Sequence, residues 1–147
     1  MLDAVHEKPA LAVPAGYIPI VSRARGFVQR CGGFHLHATQ PVLATRVTAD
    51  HLNPLDIAHG GFLATLADTA FGAVIKRDLG LAAPPATVSL SVDYIGAVRE
   101  GDWVEAHVEV HKTGRRLSNA SCLVKVGDRV VLRASGVFIT TLKGDAP

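Results

Sequence analysis

The fold is decided by the stretch from His59 to Leu79, which has the sequence HGGFLATLADTAFGAVIKRDL. Apolar residues recur along it at spacings of three and four, the period of an amphipathic helix: Phe62, Leu63, Leu66, Ala67, Ala70, Phe71, Val74 and Ile75. Ala64 and Ala73 extend the apolar surface almost all round, so we expect a helix that is buried on most sides. Lys76 and Arg77 in the last turn, with Gly80 just beyond, predict where it ends.

Strand patterns lie on both sides of this helix. Two short runs precede it, at 33–39 and 41–49, and four follow the Pro84-Pro85 break, at 87–95, 103–112, 115–126 and 129–141. Gly127-Asp128 and Thr113-Gly114 fit tight turns, which join antiparallel strands. The sequence therefore predicts an α+β fold, in which one long helix lies against a curved antiparallel β-sheet whose last four strands form a meander.

Length and composition are typical of one soluble domain. The chain has 147 residues, of which 48% are hydrophobic and 19% are charged. Its formal charge of +2 is too small to indicate nucleic-acid binding, and no apolar run reaches the roughly 18 residues that span a bilayer. Cys31 and Cys122 stand alone, which indicates neither a metal site nor a disulfide framework. We expect one cytoplasmic domain over residues 1–147, a loose leader at 1–16 and a short helix within 17–30.

Two glycines begin the long helix. The first N–H groups of a helix have no partners within it, and the helix dipole adds partial positive charge there. Because no side chains obstruct them, the N–H groups of Gly60 and Gly61 could polarise a carbonyl and stabilise an oxyanion. A simple loop-to-helix junction also uses glycine, and the pair taken alone favours that plainer interpretation.

Asp68 is the unusual residue of the helix. It stands among apolar neighbours, and no Lys or Arg lies three or four residues away to pair with it. A carboxylate there is a solvent-facing or salt-bridged side chain, or else a functional group. Gly60 and Asp68 are roughly 12 Å apart along the helix, too far for one carbonyl carbon to meet both. If both act on one bond, one of them must come from another subunit, which predicts at least a dimer with shared active sites.

Several motifs together are similar to those of a known family. They are Asn53 followed six residues later by His59-Gly60-Gly61, the run Leu66 to Ala70, and the segments Thr87 to Tyr94, Gly101-Asp102 and Lys112 to Arg116. Over roughly residues 26–141 the chain resembles the hotdog-fold acyl-CoA thioesterases of the phenylacetic-acid-degradation (PaaI-like) type. The resemblance implies a hotdog fold with a sheet wrapped around the helix. It also implies a homodimer or a dimer-of-dimers homotetramer, in which paired subunits form one continuous sheet.

The resemblance further implies a role for each catalytic position. The acidic residue of the family falls on Asp68, which acts as nucleophile or as general base for water. The oxyanion donor falls on the N–H of Gly60 in the opposite subunit. Asn53 and His59 are expected to orient the thioester or the attacking water. Thr87 falls where the family often has a hydroxyl residue beside the lytic water.

One position departs from the family pattern. Relatives often have a glycine three residues after the asparagine, whereas this chain has Asp56. Aspartate tolerates a left-handed backbone better than most residues, so we expect the loop to keep its shape. The alternative is that Asp56 adds a second negative charge near the site.

The substrate is expected to be an acyl-CoA. Gly61, Phe62, Leu66 and Phe71 are predicted to line a pocket for an aryl or medium-chain acyl group. Basic residues at connections between strands, namely Arg99, Lys112, Arg115 and Arg116, could bind the phosphates of CoA, although a solvated turn explains them equally well.

The leading prediction is therefore hydrolysis of an acyl-CoA thioester, with no metal or organic cofactor and no nucleic-acid or membrane partner. Two alternatives stay open: a non-catalytic acyl-CoA-binding module in which Asp68 is structural, and an enoyl-CoA hydratase-like enzyme with His59 in the proton transfer. No Gly-x-Ser-x-Gly elbow supports a serine hydrolase. His35 and His37 alternate on a strand without a third ligand, so a polar strand face is the better interpretation than a metal site.

Overall fold

A computed structural model describes residues 11–20 and 26–140 of the chain. Within these residues the chain forms one long helix, one short helix and seven strands. In chain order they are β1 (Tyr17–Pro19), α1 (Phe27–Arg30), β2 (Phe34–His37), β3 (Val42–Arg46), α2 (Gly60–Leu79), β4 (Ala86–Tyr94), β5 (Trp103–Thr113), β6 (Leu117–Val126) and β7 (Arg129–Ile139). A single 3-10 turn at Ala49–His51 precedes the loop that leads into α2.

The seven strands form one antiparallel sheet in the order β1-β2-β3-β5-β6-β7-β4. The predicted meander of the last four strands is wrong, because only β5, β6 and β7 follow one another as neighbours. β4 pairs with β7 instead, and β5 takes its other neighbour from β3, ahead of the helix. The connection at 95–102 is too long for a tight hairpin, so proximity in sequence did not decide the pairing.

The long helix begins and ends where the sequence indicates. His59 caps the start, with its side-chain Nδ1 accepting a hydrogen bond from the N–H of Gly61. Gly80 closes the end in the left-handed conformation at φ 62°, and its N–H binds the carbonyl of Arg77. Local capping therefore sets both boundaries: the cap at Gly80 was predicted, whereas the cap by the side chain of His59 is seen only in the structure.

The hydrophobic core lies between α2 and one face of the sheet. Leu66, Phe71 and Ile75 of the helix are fully buried there, together with inward side chains of the central strands such as Val104 and Phe138. Their removal from water drives the helix onto the sheet. The opposite side of the helix remains partly exposed, and it carries Asp68, Thr69, Gly72 and Ala73. The helix is therefore less completely enclosed than its composition predicts.

The short connections between β5, β6 and β7 are confirmed. Gly127 adopts φ 58° in the two-residue turn that pairs Val126 with Arg129, and the N–H of Gly114 binds the carbonyl of Leu117. The short helix predicted within 17–30 is α1, whereas β1 was not predicted. Residues 1–10, 21–25 and 141–147 are outside the described part, and they include most of the predicted leader and the end of the last predicted strand.

Strand β4 forms one edge of the sheet and has a neighbour on one side only. It is nine residues long, and a bulge interrupts its pairing between Thr87 and Ser89. Val88 and Tyr94 are 55% and 56% exposed on it. A long strand edge with free backbone groups is able to pair with another strand.

None of the helices in the described residues has the length and hydropathy of a membrane span.

Candidate active site

Asp68 and Thr87 come together from α2 and from the edge strand β4. The hydroxyl of Thr87 donates a hydrogen bond of 2.7 Å to Oδ1 of Asp68. Within the described residues this carboxylate has no Lys, Arg or His partner at ion-pair distance. Its second oxygen is left for an external donor such as a water molecule. The aspartate that was unusual in the sequence is therefore paired with a hydroxyl that the sequence separates from it by 19 positions.

A cleft of about 850 Å³ opens beside this pair. Its wall is mostly apolar or small, and it contains Ile20, Val28, Leu36, Thr69, Gly72, Ala73, Leu81, Pro84 and Pro85. Asp68 and Thr87 lie in this wall, as do Lys76 and Arg77. An apolar cleft with a few polar groups is the usual form of a small-molecule site.

The loop before α2 is held by Asn53. Its side-chain oxygen accepts hydrogen bonds from the N–H groups of Leu55 and Ile57, at 2.9 and 3.4 Å. Asp56 adopts the left-handed conformation at φ 57°, which confirms that aspartate keeps the loop in the shape that glycine allows. The amide NH₂ of Asn53 makes no hydrogen bond within the described residues, so it is available to a ligand.

The start of α2 presents backbone donors. Gly60 is the first residue of the helix, so its N–H has no acceptor within the helix. The N–H of Gly60 shares its peptide unit with the carbonyl of His59. That carbonyl accepts hydrogen bonds from the N–H groups of Phe62 and Leu63, at 3.0 and 3.2 Å. Such bonds polarise the peptide and strengthen its N–H as a donor. Because His59 Nδ1 accepts from Gly61, the proton of the neutral ring is on Nε2.

Tyr94 supports the same helix start and was missed by sequence reasoning. Its hydroxyl donates a 2.6 Å hydrogen bond to the carbonyl of Gly60. A Cβ added at Gly60 would meet the tyrosine ring at 3.1 Å, so any side chain there would have to displace the ring by a few tenths of an ångström. Tyr94 ends β4 and lies 34 positions from Gly60, and nothing in the local sequence signals the contact.

The structure does not bring Gly60 and Asp68 together within one chain. Both belong to α2, in which they are separated by more than two turns, roughly 12 Å. If both groups act on one bond, at least a dimer with shared active sites is therefore still the prediction. Gly61 and Phe62 border a separate hollow of about 440 Å³ beside His59, in which Phe62 stacks on His51 at a ring separation of 3.8 Å.

Leu66 and Phe71, which were predicted to line the acyl pocket, do not border the cleft beside Asp68. Both side chains have no exposed surface and lie in the core against the sheet. The helix positions that do border the cleft are Thr69, Gly72 and Ala73, on the other side of α2. The apolar pattern runs almost round the helix, so periodicity alone could not tell which side meets the sheet.

The predicted phosphate-binding residues lie at two places. Lys112, Arg115 and Arg116 border a hollow of about 530 Å³ at the turn between β5 and β6. Arg99 lies elsewhere, in the connection before β5, where its N–H binds Asp102. In the described part of the chain no group of three His, Cys, Asp or Glu residues could hold a metal ion.

The fold and the site together define a class of protein: a hotdog-type enzyme, with one long helix against an antiparallel sheet and a helix carboxylate at a cleft. A sequence profile of the thioesterase superfamily matches residues 55–133. A candidate esterase of Pseudomonas aeruginosa is 38% identical over 129 residues, which cover 86% of this chain and 96% of that protein. The chain therefore belongs to the thioesterase superfamily, and it is a thioester hydrolase.

Two solved structures extend the comparison. A mutant of the phenylacetic acid degradation protein PaaI from Thermus thermophilus is 31% identical, with a TM-score of 0.63 and coverage of 71% of this chain and 89% of that one. A hypothetical thioesterase from Streptococcus pneumoniae, solved with coenzyme A, is 28% identical, with a TM-score of 0.62 and coverage of 70% and 82%. The fold of this chain is accordingly the hotdog fold of PaaI-like thioesterases.

Proposed function

We propose that this protein hydrolyses the thioester of an aryl- or medium-chain acyl-CoA to the free acid and CoA. The observation that carries the proposal is the pair formed by Asp68 and Thr87 at the edge of an apolar cleft. The cleft accepts the acyl group, and the carboxylate lies where the reacting carbonyl would then be. Membership of the thioesterase superfamily and the relative solved with coenzyme A support the choice of substrate.

The carboxylate of Asp68 starts the reaction in one of two ways. As general base it takes a proton from water, while the water oxygen bonds to the thioester carbon. As nucleophile its own oxygen bonds to that carbon, and water then hydrolyses the resulting anhydride. In both cases the carbon–sulfur bond breaks, the electron pair leaves with sulfur, and a proton reaches the CoA thiolate. The Thr87 hydroxyl holds one carboxylate oxygen and so aims the other.

The oxyanion of this reaction is bound by the helix start of the partner subunit. The N–H of Gly60 donates to the carbonyl oxygen as it becomes negative, helped by the polarised peptide and the helix dipole. His59, with its proton on Nε2, and the side-chain NH₂ of Asn53 orient the thioester or the attacking water. The separation of roughly 12 Å between Gly60 and Asp68 supports this division between two subunits.

The edge strand β4 is the proposed route to the dimer. Its unpaired side would pair with the same strand of a second copy, which makes one continuous sheet and brings the two long helices side by side. Two such dimers would form a homotetramer. The CoA phosphates would bind Lys112, Arg115 and Arg116 around the β5–β6 hollow, with Arg99 as a further candidate.

Release of CoA from a panel of aryl- and alkyl-CoA esters tests the proposal, with wild type compared with Asp68→Asn. We expect turnover by wild type and a loss of at least about 100-fold in kcat in the variant, the range for removal of a catalytic acid–base group. Asp128→Asn, which removes a carboxylate at the tip of the β6–β7 turn, is the matched control and should keep full activity. Binding of acyl-CoA without any hydrolysis would instead make the protein a binding module.

The protein's own thiols do not disturb this measurement. Cys122 is buried in the core, and burial raises its pKa to about 12. Burial also raises the pKa of Cys31. Since the thiolate is the reactive form, neither residue should compete with released CoA for a thiol reagent at neutral pH while the chain is folded.

A further inference from the structure

The cleft beside Asp68 has an uneven distribution of charge. Three of its described wall residues are charged: one carboxylate, Asp68, and two basic residues, Lys76 and Arg77. The rest of the wall consists of aliphatic side chains, prolines, glycines and two threonines, Thr69 and Thr87, which adjoin Asp68. A molecule that fills the cleft therefore meets a polar group at the reacting end, an apolar middle and a positive charge further along the helix.

The spacing along α2 sets the distance between these groups. Asp68, Gly72 and Lys76 follow one another at intervals of four, so they lie on one face of the helix. Asp68 and Lys76 are separated by roughly 12 Å along the axis. Gly72 leaves the floor open between them, since a Cβ added there would meet only Pro84, at 4.0 Å.

Of the two basic residues, Arg77 already has hydrogen-bond partners within the chain. Its guanidinium donates to the carbonyls of His37 and Gln40 at 2.9 to 3.2 Å, and it also pairs with Asp78. Lys76 differs, because its ammonium group has no hydrogen bond or ion pair with any described residue although the side chain is partly buried. A cation among apolar groups is stabilised by an anion that reaches it.

We propose that Lys76 binds an anionic group of the substrate, namely a carboxylate at the far end of the acyl chain. The preferred substrates are then CoA half-thioesters of dicarboxylic acids, with an apolar chain between the thioester and the carboxylate. This inference rests on the proposed function, because it requires the acyl group to lie in the cleft with its thioester at Asp68. It adds a substrate class and a specificity-determining residue.

Chain-matched pairs of substrates test the inference: adipoyl-CoA against hexanoyl-CoA and suberoyl-CoA against octanoyl-CoA, which differ only in the terminal carboxylate. Wild type should favour the dicarboxylic member of at least one pair by about tenfold in kcat/KM, the effect of one charge-assisted hydrogen bond. Lys76→Met should abolish that preference, because it removes the positive charge and keeps most of the length of the side chain. Lys76→Arg should keep most of the preference, because it retains the positive charge. Lys125→Met, on β6 and away from the cleft, is the matched control.

Thioesters of N-acetylcysteamine separate the two sources of negative charge in the substrate, since they lack the CoA phosphates. If Lys76 binds the acyl carboxylate, the preference and its loss in Lys76→Met persist with these short esters. If Lys76 binds a CoA phosphate, the variant weakens both members of each CoA pair equally and has no effect on the short esters, which would overturn the inference.

Two further outcomes separate this inference from the proposed function. Hydrolysis of the neutral acyl-CoAs by wild type without a dicarboxylic preference in either pair would reject the role of Lys76 and leave the thioesterase intact. Hydrolysis of no ester in either series, by wild type or by Lys76→Met, would reject both.

Discussion

The start and the middle of α2 carry the two halves of the proposed site, and they are built differently. At the start the chemistry belongs to the backbone: the N–H of Gly60 is exposed by the absence of a side chain, and His59 and Tyr94 hold the surrounding peptides in place. In the middle it belongs to one side chain, Asp68, held by one hydroxyl. A single chain contains both groups, but they are too far apart to act on the same carbonyl. Each chain therefore provides one half of two different sites.

The largest expected effect comes from placing the two inactivating substitutions, one in each half of the site, on different chains. Asp68→Asn and Gly60→Val should each be nearly inactive as homo-oligomers. A heterodimer of the two retains one site with an intact Asp68 and an intact Gly60, so random mixing should restore about a quarter of wild-type activity. The measurement is CoA release after co-refolding or co-expression of the two variants. Mixtures that stay as inactive as their parents would place both halves of each site in one chain.

Loss of the Thr87 hydroxyl sharpens the comparison at the middle of the helix. Thr87→Val keeps the shape of the side chain but removes the donor to Asp68, and we expect kcat to fall by about tenfold because the carboxylate is no longer aimed. Thr87→Ser keeps the hydroxyl and should stay within about threefold of wild type. Steady-state kinetics of both variants decide between the two groups: a larger loss in Thr87→Ser than in Thr87→Val would mean that the methyl group, not the hydroxyl, is what matters.

A smaller effect is expected at the helix start. Tyr94→Phe keeps the ring that packs on Gly60 and removes only the hydrogen bond to its carbonyl. We expect kcat to fall by about fivefold with KM unchanged, because the oxyanion donors are held less firmly in the transition state. Thermal unfolding of the variant provides the control. A drop in melting temperature with unchanged kcat would assign the bond to stability alone.

The smallest effect is expected at Asp56, and it distinguishes backbone shape from charge. Asp56→Gly and Asp56→Asn both tolerate φ 57°, so we expect activity within about twofold and an unchanged melting temperature. Asp56→Val should unfold at lower temperature, because a β-branched residue is strained in that conformation. A shift of the pH–rate profile in Asp56→Asn alone would show instead that the negative charge of Asp56 reaches the site.

Much of the local structure follows from the sequence. The apolar spacing predicted where α2 begins, Gly80 predicted where it ends, and the turn glycines predicted where β5, β6 and β7 reverse. Asp68 was recognisable as a candidate because a carboxylate among apolar helix residues destabilises the fold unless it is paired. Such residues are therefore often functional. The tolerance of aspartate for a left-handed backbone predicted the loop conformation at Asp56. Each of these signals acts over a few neighbouring residues, where the sequence and the physical cause coincide.

The pairings over long distances were decided only by the tertiary structure. β4 joins β7 at the sheet edge because strand order depends on the packing of the whole sheet, and several orders satisfy the same alternation. Burial of Leu66 and Phe71 against the sheet leaves the small residues Gly72 and Ala73 to border the cleft, since an almost uniformly apolar helix has no preferred face. The contacts of Asp68 with Thr87 and of Gly60 with Tyr94 depend on that same placement of β4. The sequence by itself determined the chemical groups and the local shapes that hold them, while the distances between them arose from packing, because burial of apolar surface is not directional and acts on the chain as a whole.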